Sequence, residues 1–336
     1  MKLKLAAIVM LVALLSGAAA ALWFNDQIST AHAPPHAINV TIPKGASSAA
    51  IAHRLADNGV ISSALLFRLL VRLDGSAASL RSGYYHFAEA ADMKHVLERI
   101  KRGDVVRFQI TVPEGLRTDE VLQLLADRSE IPVSVWQQAL GRLIRGEAEG
   151  RLLPETYQYT RPIQPARLLG AMIRAQDKLL ANLAADERAR GDLRIIASII
   201  EKETALEAER PLVSAVIRNR LQKGMPLQMD PTVIYGIWRR KGAFSGNIHR
   251  RDLVADTPWN SYTRKGLPPT PISNPGAASL RAAAAPADAG FLYFVADGSG
   301  GHAFATTIEE HRANVRRWLK IEKKKGGRRQ SGWRRN

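Results

Sequence analysis

Residues Ile195 to Thr204 read Ile-Ile-Ala-Ser-Ile-Ile-Glu-Lys-Glu-Thr, an apolar stretch with helical spacing that runs into two carboxylates. At roughly 100° per residue, Ile196, Ile199, Ile200 and Glu203 share one face, with Glu203 about 20° and Glu201 about 140° from Ile196. The spacing therefore predicts that Glu203 turns inward and Glu201 outward. A carboxyl group that loses hydration holds its proton more tightly, as a general acid working near neutrality must. The competing reading makes Glu203 a helix-surface charge paired with Lys202 or Arg194.

A second cluster runs from Gly224 to Thr232. Asp230 before Pro231 suits a helix start, with the aspartate as N-cap and proline at the first helical position. Gln228 lies in an extended segment just ahead, where its amide faces solvent or a groove. Tyr235 and Trp238 follow on the new helix, and Trp259, Asn260 and Tyr262 lie in a loop-rich stretch. Aromatic faces beside amides and carboxylates suit sugar rings, although each aromatic alone is as well explained by a core. His302, in Gly301-His302-Ala303-Phe304, reads as a packed or turn-capping histidine. No histidine pair has zinc-helix spacing and there is no glycine-rich phosphate loop, so metal hydrolase and nucleotide chemistry have no motif behind them. No metal or cofactor is expected.

These residues need a scaffold, and the 336 residues suffice for about two domains. Ile38 to Ile42 alternates as a strand, Ala49 to Asn58 carries a helical stripe ended by Gly59, and Leu65 to Leu73 reads as a second helix. Gly83 to Phe87 resembles a strand, Met93 to Lys101 a helix, and Val105 to Val112 a strand closing a small α+β module. After Pro113-Glu114-Gly115 a helical region starts at Thr118 and continues through Arg145. Ala166 to Ala185, Leu193 to Ala205, and Pro211 to Lys223 are further helices. Ala243 to Pro275, rich in Gly, Pro, Asn and Ser, is a long irregular stretch of the kind that usually forms a functional surface. Phe291 to Val295 reads as a strand and Thr307 to Lys320 as a closing helix. The expected division is 1–24 cytoplasmic tip and anchor, 25–37 stalk, 38–110 small module, 111–320 catalytic domain and 321–336 a disordered basic tail.

Lys4 is followed by twenty uncharged residues, Leu5 to Phe24, and a helix of that length spans roughly 30 Å, the thickness of a bilayer core. Lys2 and Lys4 precede it and Asp26 follows, which places the amino terminus in the cytoplasm and the body outside. The run is longer than the apolar core of a cleavable signal and continues through Leu22-Trp23-Phe24, so a retained anchor is favoured over cleavage near Ala18 to Ala21. The chain has no cysteine, which excludes disulfides, thiol nucleophiles and cysteine metal sites. Its net charge of +17 is unevenly spread, because Lys320 to Asn336 holds eight basic residues and one acidic, a local +7. Outside the inner membrane such a tail would meet lipid head groups or an acidic wall rather than nucleic acid.

The order of motifs resembles the endolytic murein transglycosylases of the YceG-like family. The resemblance rests on Ile199 to Thr204, Glu209-Arg210-Pro211, Asn219-Arg220-Leu221, Gly224-Met225 with Leu227-Gln228, Asp230 to Gly236, Gly266 to Pro269, Asn274-Pro275-Gly276, Tyr293 to Ala296, and Gly301-His302 with Phe304. It extends upstream through Val112 to Gly115 and Leu153 to Tyr157. It implies an α+β protein with an amino-terminal transmembrane helix, a small lysin-motif-like module and a larger, mostly helical domain similar to lysozyme-like lytic transglycosylases. The implied enzyme is a single-pass inner-membrane lyase with a periplasmic body. It would cleave the bond between N-acetylmuramic acid and N-acetylglucosamine within peptidoglycan strands, leaving 1,6-anhydro ends. Glu203 followed by Thr204 matches the family's catalytic pair and Glu201-Lys202 does not. Gln228 would hold the sugar, with Tyr235, Asn260 and Tyr262 lining the groove. Glycan strands, membrane lipid and penicillin-binding synthases are the implied partners. Trp259, Ser261 and the basic tail depart from the family pattern. The alternatives are a tethered peptidoglycan-binding scaffold and a hydrolytic muramidase.

Overall fold

The apolar amino-terminal run folds as α1 (Lys2–Ser29), a helix long and apolar enough to cross a membrane. The most apolar window of its span Lys4–Ser29 has a mean hydropathy of 2.5 and no buried residue. The computed structural model describes the backbone of residues 2–332 and the side chains of 4–323, Ser245 apart in both cases. The fold is mixed α and β, mostly helical. By its internal contacts it divides into two units, Met1–Gln109 with Gln158–Gln164, and Ile110–Tyr157 with Pro165–Asn336.

In the first unit, β1 (Ile38–Ile42) is followed by α2 (Ser48–Asp57), α3 (Ala64–Leu73), β2 (Gly83–Phe87) and α4 (Met93–Arg102). The two strands pair antiparallel, Ile38 opposite Phe87 and Ile42 opposite Gly83. Their alternation turns Val40, Ile42, Tyr85 and Phe87 onto one buried face. Ile51, Leu55, Phe67, Val71, Val96 and Ile100 of the helices complete that core. Ser47, Ser63 and Asp92 cap the three helices by accepting from Ala50, Leu66 and His95 amides.

The expected stalk begins inside this core. Ile28 is buried in it with Phe24 packed alongside, and Lys94 Nζ donates to Asn25 Oδ1 at 3.0 Å and Ser29 Oγ at 3.1 Å. Phe24 and Ile28 lie one helical turn apart, a pairing hidden by the Pro34-Pro35 composition downstream. The closing strand also differs from expectation. Val106 gives one amide bond to Tyr84 O at 2.8 Å, and the strand is the shorter β3 (Phe108–Thr111). It pairs with β4 (Thr156–Tyr159), too distant in sequence for local alternation to reveal.

The second unit contains α5 (Thr118–Ser129), α6 (Val133–Leu143), α7 (Pro165–Leu183), α8 (Glu187–Glu203), α9 (Arg210–Gln222), α10 (Asp230–Lys241), α11 (Arg250–Leu253), α12 (Ala277–Ala284), β5 (Tyr293–Ala296), β6 (His302–Ala305) and α13 (Ile308–Gly332). Leu193, Ile196, Ala197, Ile199 and Ile200 bury α8 in its core, where it packs against α7, α9, α10 and α12. Asn274, fully buried, joins distant segments: its Oδ1 accepts from Leu152 N at 2.8 Å and its Nδ2 donates to Leu116 O at 3.1 Å. The basic tail continues α13 as helix to Gly332, since Lys, Arg and Gln are good helix formers. Residues 333–336, also part of the expected disordered tail, lie outside the described residues.

Candidate active site

The two glutamates at the end of α8 have different surroundings, though not those the helical wheel predicts. Glu201 is not out in solvent: its side chain is only 7% exposed, 3.8 Å from Arg210, and its Oε2 accepts from Gly276 N at 2.9 Å. The outward face of α8 is covered there by the segment entering α12. A Cβ on Gly276 would come within 1.7 Å of Glu114 Oε1, so a larger residue there would displace the Glu114 side chain. Glu201 is a structural charge with partners.

Glu203 forms no hydrogen bond or ion pair among the described residues. It is the last residue of α8 and retains some contact with solvent, while protein closely surrounds its carboxyl. Burial, and then the negative charge of Asp230, push it up to about 8. A carboxyl in that range is still protonated at neutral pH and gives up its proton within reach of neutrality.

Asp230 does not cap its helix. Met229 occupies the cap position without a side-chain bond, and Asp230 is the first helical residue. Its carboxylate instead accepts from the Tyr262 hydroxyl at 2.6 Å. The turn that would have used this side chain is held by Thr232 and Ser261. Thr232 Oγ1 donates to Met229 O at 2.6 Å and lies 2.7 Å from Ser261 Oγ, which accepts from Met229 N at 2.9 Å.

Those bonds bring Gln228, Asp230 and Tyr262 together. Gln228 N donates to Ser261 O at 3.0 Å, and the residue has a φ of +53°, a left-handed conformation uncommon for any residue but glycine. Buried Arg220 holds it there by donating from Nη1 to Pro226 O at 3.1 Å, Leu227 O at 2.8 Å and Gln228 Oε1 at 3.2 Å. The Gln228 side chain is exposed, and its Nε2 has no partner among the described residues. The left-handed backbone is strained, and the residue presents a free donor. Tyr262 is half-buried, its hydroxyl proton held more tightly by burial and then by the bond to Asp230.

Tyr235 and Asn260 are placed differently. Asn260 is 1% exposed. Its Nδ2 donates to Asp252 O at 3.3 Å, Leu253 O at 3.1 Å and Ala255 O at 2.7 Å, and its Oδ1 accepts from Tyr262 N at 2.9 Å. The amide is used up holding the loop, so Asn260 shapes the stretch before Tyr262 rather than lining a groove. Tyr235 is also buried, between Trp238 and Trp259, with its hydroxyl donating to Glu149 Oε2 at 3.2 Å. It reaches the back wall of a cavity of about 520 Å³ with Arg117, Lys202, Pro231, Trp238 and Phe244. Lys202 and Pro231 are the chain neighbours of Glu203 and Asp230.

Behind Glu203 lies a polar network centred on Glu209. Thr204 Oγ1 donates to Glu209 Oε2 at 2.8 Å, His302 N donates to Oε1 at 2.7 Å, and His302 Nδ1 lies 2.7 Å from Oε2. Burial alone would raise the Glu209 carboxyl, but the bonds from His302 and Thr204 outweigh it and hold it below the ordinary range. His302 is thus a packed histidine with a buried carboxylate partner. Sequence reasoning did not single out Arg220 or Glu209, and it gave Asp230 the wrong role. Asn219-Arg220-Leu221 and Glu209-Arg210-Pro211 were visible as motifs, without a sign of where their side chains point.

Residues 40–317 match the sequence profile of the YceG-like family. The chain is 30% identical over 316 residues to the endolytic murein transglycosylase of Bacillus subtilis (strain 168), covering 86% of each. It is 26% identical over 322 residues to the endolytic murein transglycosylase of Streptococcus pneumoniae serotype 2 (strain D39 / NCTC 7466), covering 83% of this chain and 58% of that protein. The crystal structure of a yceG-like protein from Listeria monocytogenes superimposes with a TM-score of 0.54 at 28% identity, covering 83% of this chain and 99% of that one.

Proposed function

The chain belongs to the YceG-like family, and from that footing we propose that it is an endolytic lytic transglycosylase acting on peptidoglycan strands, with Glu203 as its acid and base. The carrying observation is an unpartnered carboxyl pushed up to about 8 at the end of a buried helix, in a chain similar over most of its length to endolytic murein transglycosylases. The protonated Glu203 gives its proton to the bridging oxygen, and the bond from that oxygen to C1 of N-acetylmuramic acid breaks. The resulting carboxylate takes the proton of the C6 hydroxyl as O6 closes on C1. The product is a 1,6-anhydro end, no water is consumed, and Glu203 regains its proton. One carboxyl serves both steps, whereas a glycosidase that adds water generally needs two flanking the bond.

Asp230 keeps Glu203 protonated and sets a negative charge near the positive charge that develops on the sugar ring. Gln228, through its free amide donor, and Tyr262 contact the glycan. The cavity behind Lys202 and Pro231 offers Trp238 and Phe244 to a neighbouring ring. The architecture of the second unit is lysozyme-like in this reading, and the first unit is a lysin-motif-like glycan-binding module. The helix α1 is a single-pass inner-membrane anchor with the amino terminus in the cytoplasm and the body in the periplasm. Penicillin-binding synthases, which make the strands, are the fitting protein partners.

Mass spectrometry of glycan strands digested with the purified protein tests the chemistry. Anhydro ends support the proposal, reducing ends identify a muramidase, and intact strands leave only a binding scaffold.

A further inference from the structure

The helix α3 carries a row of leucines that nothing in its own unit covers. Leu65, Leu69 and Leu73 are 70%, 42% and 68% exposed, and their spacing of four places them within an arc of about 80° along one side of the helix. Phe67 and Val71 fill the core from the other side. Arg68 and Arg72 flank the row, both exposed and without an ion pair among the described residues, and the helix has no acidic residue. A core helix would not leave three leucines out, and a solvent-facing one would not have a leucine row.

The neighbour of α3 indicates what covers it. The helix packs against α1, and Phe24, at the end of the apolar run, shares the core cluster with Leu66 and Leu70 of α3. Ile28, one turn further, is buried in that cluster, so the anchor enters the unit as a continuous helix. Trp23, 57% exposed, stands where an interfacial aromatic would sit. An apolar row flanked by arginines, fixed to the emerging end of a membrane helix, has the composition of a helix that lies in a bilayer surface. We propose that Leu65, Leu69 and Leu73 of α3 insert into the outer leaflet beside α1, with Arg68 and Arg72 among anionic head groups, so that the first unit is docked on the membrane.

This inference rests on reading α1 as a membrane anchor, and the test separates the two. The chain has no cysteine, so Leu69→Cys and Val9→Cys each give a single attachment point at an exposed position in the full-length protein. Each variant is labelled with an environment-sensitive fluorophore and reconstituted in vesicles of phosphatidylethanolamine and phosphatidylglycerol carrying nitroxide lipids. At position 69 a blue shift with quenching by a head-group-level nitroxide is expected, and at position 9 quenching by a deep acyl-chain nitroxide. Quenching at 9 with a solvent-like, unquenched spectrum at 69 overturns the docking and spares the anchor. A blue shift at 69 without quenching overturns it in favour of a protein partner or second copy. Absence of quenching at 9 removes the anchor and the docking together.

Discussion

The Tyr262 hydroxyl donates to Asp230 Oδ1 at 2.6 Å, and the carboxylate so held is the charge that, after burial, holds the proton on Glu203. Asn at position 230 keeps the shape and removes the charge, so Glu203 loses its proton at lower pH. For Asp230→Asn the alkaline limb of the pH profile for strand cleavage is therefore expected to move toward neutrality. The profile is read from release of anhydro-ended fragments between pH 5 and 10, on the order of two units either side of neutrality and beyond. An unmoved limb means that Asp230 does not act on Glu203.

Glu203→Gln is expected to reduce strand cleavage by about 10²–10⁴-fold, the range for loss of a general acid or base. The same substitution should stabilise the protein at alkaline pH. Below the ordinary glutamate range the carboxyl is neutral whether folded or unfolded. As pH rises, the unfolded chain ionises first while the folded site resists, and the stability this side chain contributes is lost as pH passes through about 8. Melting temperatures of parent and variant should coincide below about pH 4 and diverge in favour of the variant from there up to about 8. A variant less stable than the parent at pH 9, about one unit above that range, contradicts the burial of this carboxyl.

Much of this was visible in the residues. The alternation of Val40 and Ile42 and the stripe of α8 each carry a period, and α1 an unbroken apolar run, that one element satisfies alone, so local sequence reports them. The inward turn of Glu203 followed from the same period. The covering of Glu201 did not, because a helical wheel knows one helix and the cover is Gly276, seventy-five residues on. Asn260 and Tyr262 looked alike as polar groups in a loop, yet the buried amide is spent on backbone carbonyls and the phenol reaches Asp230. Asp230 before Pro231 read as a cap because that pair has a strong local meaning. Thr232 and Ser261 secure the turn instead, and no local pattern announces a partner from a distant loop.

Two amides placed in one groove by sequence should behave in opposite ways. Asn260→Ala leaves three backbone carbonyls short of a donor in a buried loop, at a cost of about 1–3 kcal/mol, and thermal denaturation should show it. Gln228→Gly removes an exposed side chain from a left-handed position, which relieves strain, so the melting temperature should hold or rise while KM for glycan strands increases. If Gln228→Gly leaves KM unchanged, the free amide donor does not touch substrate.

Glu209 anchors the turn behind Glu203, and its substitution should register in both stability and rate. It accepts from His302 N and the Thr204 hydroxyl at 2.7 and 2.8 Å, and Thr204 is the residue next to Glu203. Its proton affinity is lowered in the fold, so the stability it supplies is present above the ordinary carboxylate range and lost as pH falls through the lowered folded value. Glu209→Gln keeps the volume but turns a charged acceptor into an amide, at a cost of about 1–3 kcal/mol at neutral pH. Chemical denaturation should show the gap between variant and parent narrowing on acidification. The rate of strand cleavage should fall together with stability, because the loosened Thr204 turn no longer holds the end of α8. A variant with a constant stability deficit from neutral to acidic pH would show that size and packing, rather than the charge on Glu209, hold this turn in place.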